Sequence, residues 1–192
     1  GRKQIKYTVA FDGDLPCLSK IFTSRTCISE EKTIPQVVFE YSKKDHNAIF
    51  TFDRGVGKRE TFRELSQQGT SFITRINPGA KYKLVRELEN GKLRKIGSLE
   101  LVKDLEVQLA KNRKEHWIFA EEKFRLTITR NPENGTEYWF LTNMIEINAE
   151  EVLSHYKKRW DIEVFFRFLK QELNLSHITS TNPNGIAVMM YM

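Results

Sequence analysis

The sequence contains little cysteine and no long apolar run, and both features exclude whole classes of protein. Two cysteines and four histidines occur among its 192 residues. Cys17 and Cys27 are too few for a disulfide framework and match no zinc-ligand spacing, so a reducing compartment is the default expectation. No stretch approaches the roughly 18 to 20 apolar residues that a membrane-spanning helix requires. We therefore expect no membrane anchor, disulfide scaffold or zinc domain.

The two ends of the sequence do not look like natural termini. Its start, Gly1 to Lys6, is neither a signal peptide nor a natural initiator, and it ends within the apolar run Ala187 to Met192. The length suits one core, or one core with an inserted subdomain. We interpret the sequence as a fragment of a longer protein.

Positive charge is in excess. The formal net charge is +6 and the sequence pI is about 9.3, which favours a polyanionic partner or an acidic membrane surface. Basic residues cluster at 111–114 and 157–159, in predicted helix or loop, and aromatic residues flank the second cluster. Such clusters occur on nucleic-acid-binding surfaces, although the cluster at 111–114 could equally serve only solubility.

Alternating apolar residues and turn residues predict an α/β core in the first 77 residues. The predicted order is a hairpin, a helix, a strand, a helix and a strand, with strands at 6–11, 17–23, 48–52 and 71–76. This order predicts a mixed sheet flanked by helices.

Residues 78–143 read mostly as β-structure. Predicted strands cover 81–88, 93–101, 117–121, 124–129 and 138–142. The pair Asn134-Gly135 between two of them is a strong hairpin signal. We therefore predict three segments: the first part of the core at 1–77, a β-rich insertion subdomain at 78–143, and the completion of the core at 144–192. The last segment contains a helix at about 149–175, with Asn148 as a possible cap, and the start of a truncated helix from Ile186.

A polar stripe runs along this predicted helix. At about 100° per residue its members fall within about 80° of the helix circumference; they are Tyr156, Arg159, Glu163, Arg167 and Lys170. Most of the remaining circumference is apolar, which predicts a helix buried on most sides. The ordinary alternative is a solvated face with Arg159/Glu163 and Glu163/Arg167 as ion pairs.

The spacing Tyr156, Arg159, Glu163, Lys170 resembles the Tyr-Arg-Glu-Lys signature of DDE transposases of the insertion-sequence-four type. The resemblance implies a ribonuclease-H-like fold in which Glu163 is the third metal-binding carboxylate. It also implies that Tyr156, Arg159 and Lys170 hold the DNA of the transposon end. Arg167 shares the stripe and is a further candidate DNA contact.

Asp53 follows the most apolar predicted strand, at the edge where open α/β sheets place their active sites. From its own context it could equally begin a turn or cap a helix. The resemblance favours catalysis, because Asp53-Arg54-Gly55 is similar to the family segment that supplies the second carboxylate. Asp53 and Glu163 would then hold two Mg²⁺ or Mn²⁺ ions that activate a water or 3′-hydroxyl and stabilise the leaving oxygen.

The first of the three carboxylates has no clear position in the sequence. Asp12 and Asp14 lie near a strand end, but the surrounding residues mark a hairpin turn. The resemblance places the first strand and its Asp upstream of Gly1, which would leave this fragment inactive and the full-length protein as the enzyme. Asp12 is the remaining candidate.

Three further residues are candidate DNA contacts. Trp139 lies where some family members insert an aromatic ring against a flipped base, although a strand-core role is open. Arg54 and Lys58 follow Asp53 and could line the DNA path.

The resemblance implies the catalytic core of a transposase that cleaves and joins DNA strands at transposon ends. It further implies double-stranded DNA with terminal inverted repeats as the partner, a dimer on DNA for the full-length protein, and a cytoplasmic, nucleoid-associated location in a bacterium. Two alternatives stay open: a catalytically inactive DNA-binding remnant of a transposase, and a nuclease with the same fold.

Overall fold

The computed structural model describes residues 6–12, 16–22, 30–89, 93–113 and 117–172, which form a mixed α/β arrangement. The strands are β1 (Lys6–Phe11), β2 (Pro16–Phe22), β3 (Ile49–Phe52), β4 (Ser71–Ile76), β5 (Tyr82–Glu89), β6 (Arg94–Ile96), β7 (Leu99–Arg113), β8 (Trp117–Arg130) and β9 (Glu137–Thr142). The helices are α1 (Glu30–Ser42), α2 (Arg59–Gln67), α3 (Ala149–Lys157) and α4 (Arg159–Glu172). The chain divides into two compact units, a sheet unit at 42–157 and a hairpin unit at 1–41 with 158–192.

The sheet unit contains one seven-stranded, mostly antiparallel sheet. Its strand order is β3-β4-β9-β8-β7-β5, and β6 also pairs with β7. Only β3 and β4 run parallel among the described pairs, and α2 connects them. A sheet of this kind flanked by helices is consistent with the ribonuclease-H-like fold that the sequence predicts.

Helices α2 and α3 cover opposite faces of this sheet. Successive residues of a strand point to opposite faces, and β4 shows the division. Phe72 packs on Phe62 of α2 with ring centroids 5.5 Å apart, whereas Ile73 lies in a buried cluster with Val152 and Tyr156 of α3. Phe62 and Phe72 are both fully buried, and each contributes roughly 1.5 to 3 kcal/mol by leaving water.

The end of α2 shows why the chain can turn back into β4. Gly69 has a φ of 68°, a left-handed conformation that glycine adopts without steric cost. The backbone N–H of Thr70 then donates to the carbonyl of Leu65 at 2.9 Å, which closes the helix C-terminus.

The hairpin unit contains a separate two-stranded sheet together with α1 and α4. β1 and β2 pair antiparallel, with Lys6 opposite Phe22. Phe11 of β1 stacks on Phe165 of α4 with ring centroids 4.9 Å apart, and Lys20 forms an ion pair with Glu40 of α1.

The predicted continuous helix at about 149–175 is wrong. The chain forms α3 and α4 with Lys158 in a turn between them, where the N–H of Asp161 donates to the carbonyl of Lys158 three residues earlier. Basic side chains occupy the last turn of α3, and Asp161 lies in the first turn of α4. This charge arrangement suits the dipoles of two helices. Residues 173–175 and the predicted helix from Ile186 lie outside the described residues.

Three β-structure predictions need correction. The single strand predicted at 93–101 is β6 followed by β7, because Gly97, with a φ of 60°, forms a two-residue turn with Ser98. The strands predicted at 117–121 and 124–129 are one strand, β8, and residues 111–113 lie in β7 instead of helix or loop.

The hairpin predicted at Asn134-Gly135 is confirmed, with the pair lying in a six-residue loop, 131–136. Arg130 and Glu137 are the last paired residues of β8 and β9. The side chains of Asn131 and Asn134 each accept a backbone N–H two residues later at 2.9 Å, and these bonds stabilise the wider loop.

Strands β5 to β9, which fall in the predicted insertion, share one sheet with β3 and β4. The division of the chain at 78 and 143 stays a prediction. Among the described residues, no helix combines the length and apolar character needed to cross a membrane.

Candidate active site

Asp53 lies at the carboxyl end of β3, on the face of the sheet that α3 covers. Phe52 stacks on Phe72, with ring centroids 5.7 Å apart, on the face covered by α2. Because side chains alternate along a strand, the next residue points to the other face. Asp53 is exposed, and its carbonyl accepts the N–H of Val56 at 3.3 Å. The residue therefore forms part of a turn, as one interpretation predicts, and its catalytic role stays a prediction.

Tyr156 joins the candidate carboxylate to the signature stretch. Its hydroxyl donates to Oδ1 of Asp53 at 3.3 Å, across 103 residues of sequence. The ring is only 8% exposed and packs edge-on against Phe140, with centroids 5.0 Å apart. Burial of the ring fixes where the hydroxyl can reach.

Asn148 caps α3, as the sequence predicts. Its side chain accepts the N–H of Glu151 at 2.9 Å, and the Glu151 carboxylate accepts the N–H of Asn148 at 2.8 Å. This reciprocal capping box satisfies backbone donors that have no partner within the helix. It defines the residue at which α3 begins.

A buried ion pair lies beneath the segment that leads into α3. Asp104 of β7 and Arg125 of β8 are 1% and 5% exposed. Arg125 Nε donates to Asp104 Oδ1 at 2.9 Å, and its Nη2 donates to the other carboxylate oxygen. Thr127 also donates to Oδ1, at 3.1 Å. The carboxylate is thus held by three hydrogen bonds.

The remaining nitrogen of Arg125 holds the backbone that precedes α3. Nη1 donates to the carbonyl of Ile145 at 2.9 Å and to the carbonyl of Ile147. A second arginine, Arg94 of β6, bonds Glu150 in the first turn of α3 at 3.0 Å and Glu89 of β5 at 2.9 Å. The start of α3 is therefore anchored to strands β5 to β8.

A second carboxylate on the same strand has a different environment. The side chain of Glu106 is 6% exposed and lies between Arg86 and Lys123, which are 62% and 54% exposed. The hydrogen bond from Arg86 holds the pKa of the Glu106 carboxyl below its ordinary value, against the opposing effect of burial, and Lys123 lowers it further. Glu106 lies opposite Arg125 in the register of β7 and β8.

In the hairpin unit, Glu163 of α4 is bonded to Arg159. Arg159 Nη2 lies 2.7 Å from Glu163 Oε1, an i,i+4 ion pair, and the side chains are 15% and 38% exposed. These two residues therefore form one of the ordinary helix ion pairs that the sequence allowed as an alternative. Arg167 is exposed, and Lys170 lies within α4 with a side chain outside the described part.

The prediction that this helix is buried on most sides is wrong for one face of α4. Trp160, Val164 and Phe168 are 53%, 48% and 56% exposed. They recur every four residues and so form one stripe. Phe165 lies outside that stripe and stacks on Phe11, so the described residues of the unit cover only part of the helix circumference.

Asp53 and Glu163 belong to different compact units, so their meeting in one site stays a prediction. Among the described residues, no three His, Cys, Asp or Glu side chains form a cluster that could hold a metal ion. Both acids nevertheless supply the oxygen ligands that Mg²⁺ and Mn²⁺ prefer, and solvent reaches Asp53 at the end of its strand. The donor chemistry fits the predicted ions.

Trp139 has the contacts of a strand residue. Its Nε1 donates to Glu137 at 2.9 Å, and its ring meets Tyr82 edge-on with centroids 6.0 Å apart. It is half-buried, and a role in base stacking stays a prediction. Arg54 and Lys58 are exposed beyond β3, and Asp12 is exposed after β1.

Sequence reasoning missed Asp104 and Arg125, although β8 carried a signal. In the run from Phe124 to Thr129, polar and apolar residues alternate strictly, which places Arg125 and Thr127 on one face. Thr127 pairs across the sheet with Phe140, which packs against α3. The alternation could therefore have indicated a row of polar side chains beneath a helix. The contact with Asp104 depends on how β7 pairs with β8, which the sequence did not predict.

These features define an α/β domain with a carboxylate at the carboxyl end of a parallel strand. Comparison with known proteins identifies the family: a family model described as "Transposase DDE domain" matches residues 1–192. The chain belongs to this family.

Relatives with curated descriptions agree with that assignment. A Sinorhizobium fredii protein named as a transposase, y4zB, is 23% identical over 192 residues, covering 97% of this chain and 50% of the relative. A Synechocystis protein named as a transposase for insertion sequence element IS4SA is 26% identical over 146 residues, covering 76% of this chain and 38% of the relative. A Geobacillus stearothermophilus protein named as a transposase for IS5377 is 35% identical over 67 residues, covering 35% and 18%. The chain thus spans half or less of the length of these relatives.

Proposed function

We propose that the chain is the catalytic core of a DNA transposase that cleaves DNA strands at transposon ends and transfers them to a target. Membership of the transposase DDE domain family over all 192 residues supports this activity for the full-length protein. The relatives carry names of the same activity, two of them for insertion sequence elements.

The observation that carries the proposal is the hydrogen bond from Tyr156 to Asp53 at 3.3 Å. Asp53 is the candidate second carboxylate, and Tyr156 is the first residue of the signature. Two residues that the resemblance assigns to different parts of the site are hydrogen-bonded to each other on one face of the sheet. A tyrosine bonded to a ligand oxygen also orients that oxygen, as outer-shell partners do at metal sites.

Asp53 and Glu163 would hold two Mg²⁺ or Mn²⁺ ions, together with a first acidic residue that Asp12 or an upstream Asp supplies. Bound there, the ions activate the attacking oxygen and neutralise charge on the leaving oxygen. Glu163 must exchange its bond with Arg159 for the metal, which frees the guanidinium to bind a phosphate. Arginine suits that partner because its fork bonds two phosphate oxygens.

The remaining candidates serve the DNA. Arg159, Arg167 and Lys170 would pair with phosphates of the transposon end. Tyr156 has one hydroxyl proton, so it would donate to the same strand in place of Asp53. Trp139 is a candidate for stacking on an unpaired base.

The partner is double-stranded DNA carrying terminal inverted repeats. The full-length protein would act as a dimer that brings two ends together, in the bacterial cytoplasm at the nucleoid. The net charge of +6 supports a polyanionic partner.

The test uses the full-length protein with DNA that carries the ends of its own element. Asp53→Asn and Glu163→Gln remove one metal-ligand charge each, so strand cleavage in Mg²⁺ should fall about a hundredfold to a thousandfold while DNA binding persists. Asp161→Asn is the matched control, because it removes an exposed carboxylate from the same helix as Glu163 and should cleave like the wild type.

Each alternative has its own outcome in this assay. Normal cleavage by both variants would reject the ligand assignment. Binding without cleavage by the wild type, in Mg²⁺ and in Mn²⁺, would identify a DNA-binding remnant, and cleavage without strand joining would identify a nuclease.

A further inference from the structure

We propose that the Asp104–Arg125 pair is a positioning device that sets α3, and with it the Tyr156 hydroxyl, against Asp53. Strands β7 and β8, which contain no signature residue, thereby have a role in the site. It rests on the proposed function for its effect on cleavage, whereas its effect on α3 is independent of that function.

The first step is the geometry of the guanidinium. Two of its nitrogens bond the carboxylate of Asp104, and the third bonds the carbonyls of Ile145 and Ile147. A carboxylate that bonds two nitrogens of the planar fork also fixes the direction of the third. Asp104 therefore aims Arg125 at the backbone that precedes α3.

The second step is the cost of this arrangement. Both side chains are almost fully buried, and taking two charges out of water costs several kcal/mol per ion before their attraction is counted. A pair of apolar side chains at these positions would give a comparably stable sheet. Apolar side chains cannot hydrogen-bond the two backbone carbonyls. The pair therefore contributes more to the orientation of the backbone before α3 than to the stability of the sheet.

The backbone that Arg125 holds leads directly into α3 and so to Tyr156. Ile147 is followed directly by the cap residue Asn148, whose carbonyl accepts the N–H of Val152 at 3.1 Å. Tyr156 lies eight residues beyond Asn148, about 12 Å along the helix. A small tilt at the start of α3 is magnified over this length, and a shift of about 1 Å is enough to break a hydrogen bond.

The contact from Arg94 to Glu150 supports the same helix end from β6, but with side chains 40% and 45% exposed. Exposed ion pairs contribute little. The buried pair is therefore the one whose loss should move α3.

The experiment uses the full-length protein with Asp104→Leu and Arg125→Met combined, because removing one partner alone would bury an unpaired charge. The matched control combines Glu100→Met with Arg130→Met. It removes one acid and one base, likewise bonded to each other, from the same strands β7 and β8 but from a different position of their register. Cooperative unfolding of both proteins verifies that they fold.

Two readouts are measured: hydrogen exchange of residues 143–157, and strand cleavage with DNA affinity determined separately. We expect faster exchange in this segment and about 10-fold to 100-fold slower cleavage at unchanged DNA affinity, for the first double variant only. Wild-type exchange and cleavage in that variant, or equal losses in the control, would overturn the inference. If the wild type cleaves no DNA, the proposed function fails, and the exchange result alone decides the positioning role.

Discussion

The two faces of the seven-stranded sheet are built from different side chains, although the same strands supply both. The aromatic face, covered by α2, collects Phe52, Phe62, Phe72 and Phe124 with ring centroids 5.5 to 6.5 Å apart. The polar face, covered by α3, carries the buried ion pair, a row of threonines and Asp53. The difference teaches that a shift of one residue along a strand changes the environment completely: neighbouring residues such as Phe124 and Arg125 serve opposite faces.

The two faces also differ in the contacts that their side chains require. An aromatic ring is satisfied by any close apolar contact, so the aromatic face tolerates changes that conserve volume. A buried charge or hydroxyl needs a specific partner, and on the polar face each named group has one. We expect changes on the aromatic face to alter stability alone, and changes on the polar face to alter the site.

The largest expected effect tests the aromatic face. Phe72→Ala removes a fully buried ring that contacts three others, so it should lower the free energy of unfolding by about 3 to 5 kcal/mol. Urea denaturation measures this loss. Phe168→Ala, which truncates a ring that is 56% exposed, is the control and should change stability little. Cleavage per folded molecule should match the wild type; a specific loss of cleavage would show that the faces are not independent.

An intermediate effect tests the polar face. Tyr156→Phe removes only the hydroxyl that bonds Asp53, so we expect cleavage or metal affinity to fall about 10-fold to 100-fold. The free energy of unfolding should change by no more than about 1.5 kcal/mol. A Mg²⁺ titration of cleavage measures the shift.

Tyr138→Phe is the control for that change, because Tyr138 borders the same buried cluster and its ring lies 5.0 Å from the guanidinium of Arg75. It should require the same Mg²⁺ concentration as the wild type. Equal shifts in both variants would mean that the cluster as a whole, and not the bond to Asp53, sets the metal requirement.

The smallest effect concerns pH. The pKa of Glu106 is lowered in the folded protein, first by Arg86. Its contribution to stability is therefore present above the unfolded-state pKa of about 4.3 and is lost as the pH falls through the lower folded-state pKa. Unfolding free energies of the wild type and Glu106→Gln should differ most near neutral pH and converge in acid. Parallel curves down to pH values of about 3 would contradict the prediction.

Local patterns predicted most of the elements and the candidate Asp53. The strand Ser71–Ile76 and the cap at Asn148 are confirmed because each depends on neighbouring residues. The Tyr-Arg-Glu-Lys spacing likewise identified the family, which the match over the whole chain confirms.

The missed features depend on distant pairing. Asp104 and Arg125 are 21 residues apart and meet only because β7 and β8 pair in one register, which includes three shifts. The break at Lys158 was also missed, since the apolar period continues across it and only the charges of the flanking turns mark it. Whether Asp53 and Glu163 share a metal depends on residues 110 positions apart, which no local pattern decides.

The anchoring of α3 has a consequence for protein engineering. A chimera that transplants residues 149–172 into another scaffold would contain all four signature residues. It would lack the hydrogen bonds from Arg125 to the backbone carbonyls that precede α3. The transferable module is larger: it begins with the β7–β8 ribbon and extends through the capping box to the end of the signature, and a graft that omits the ribbon should fold without inheriting the site.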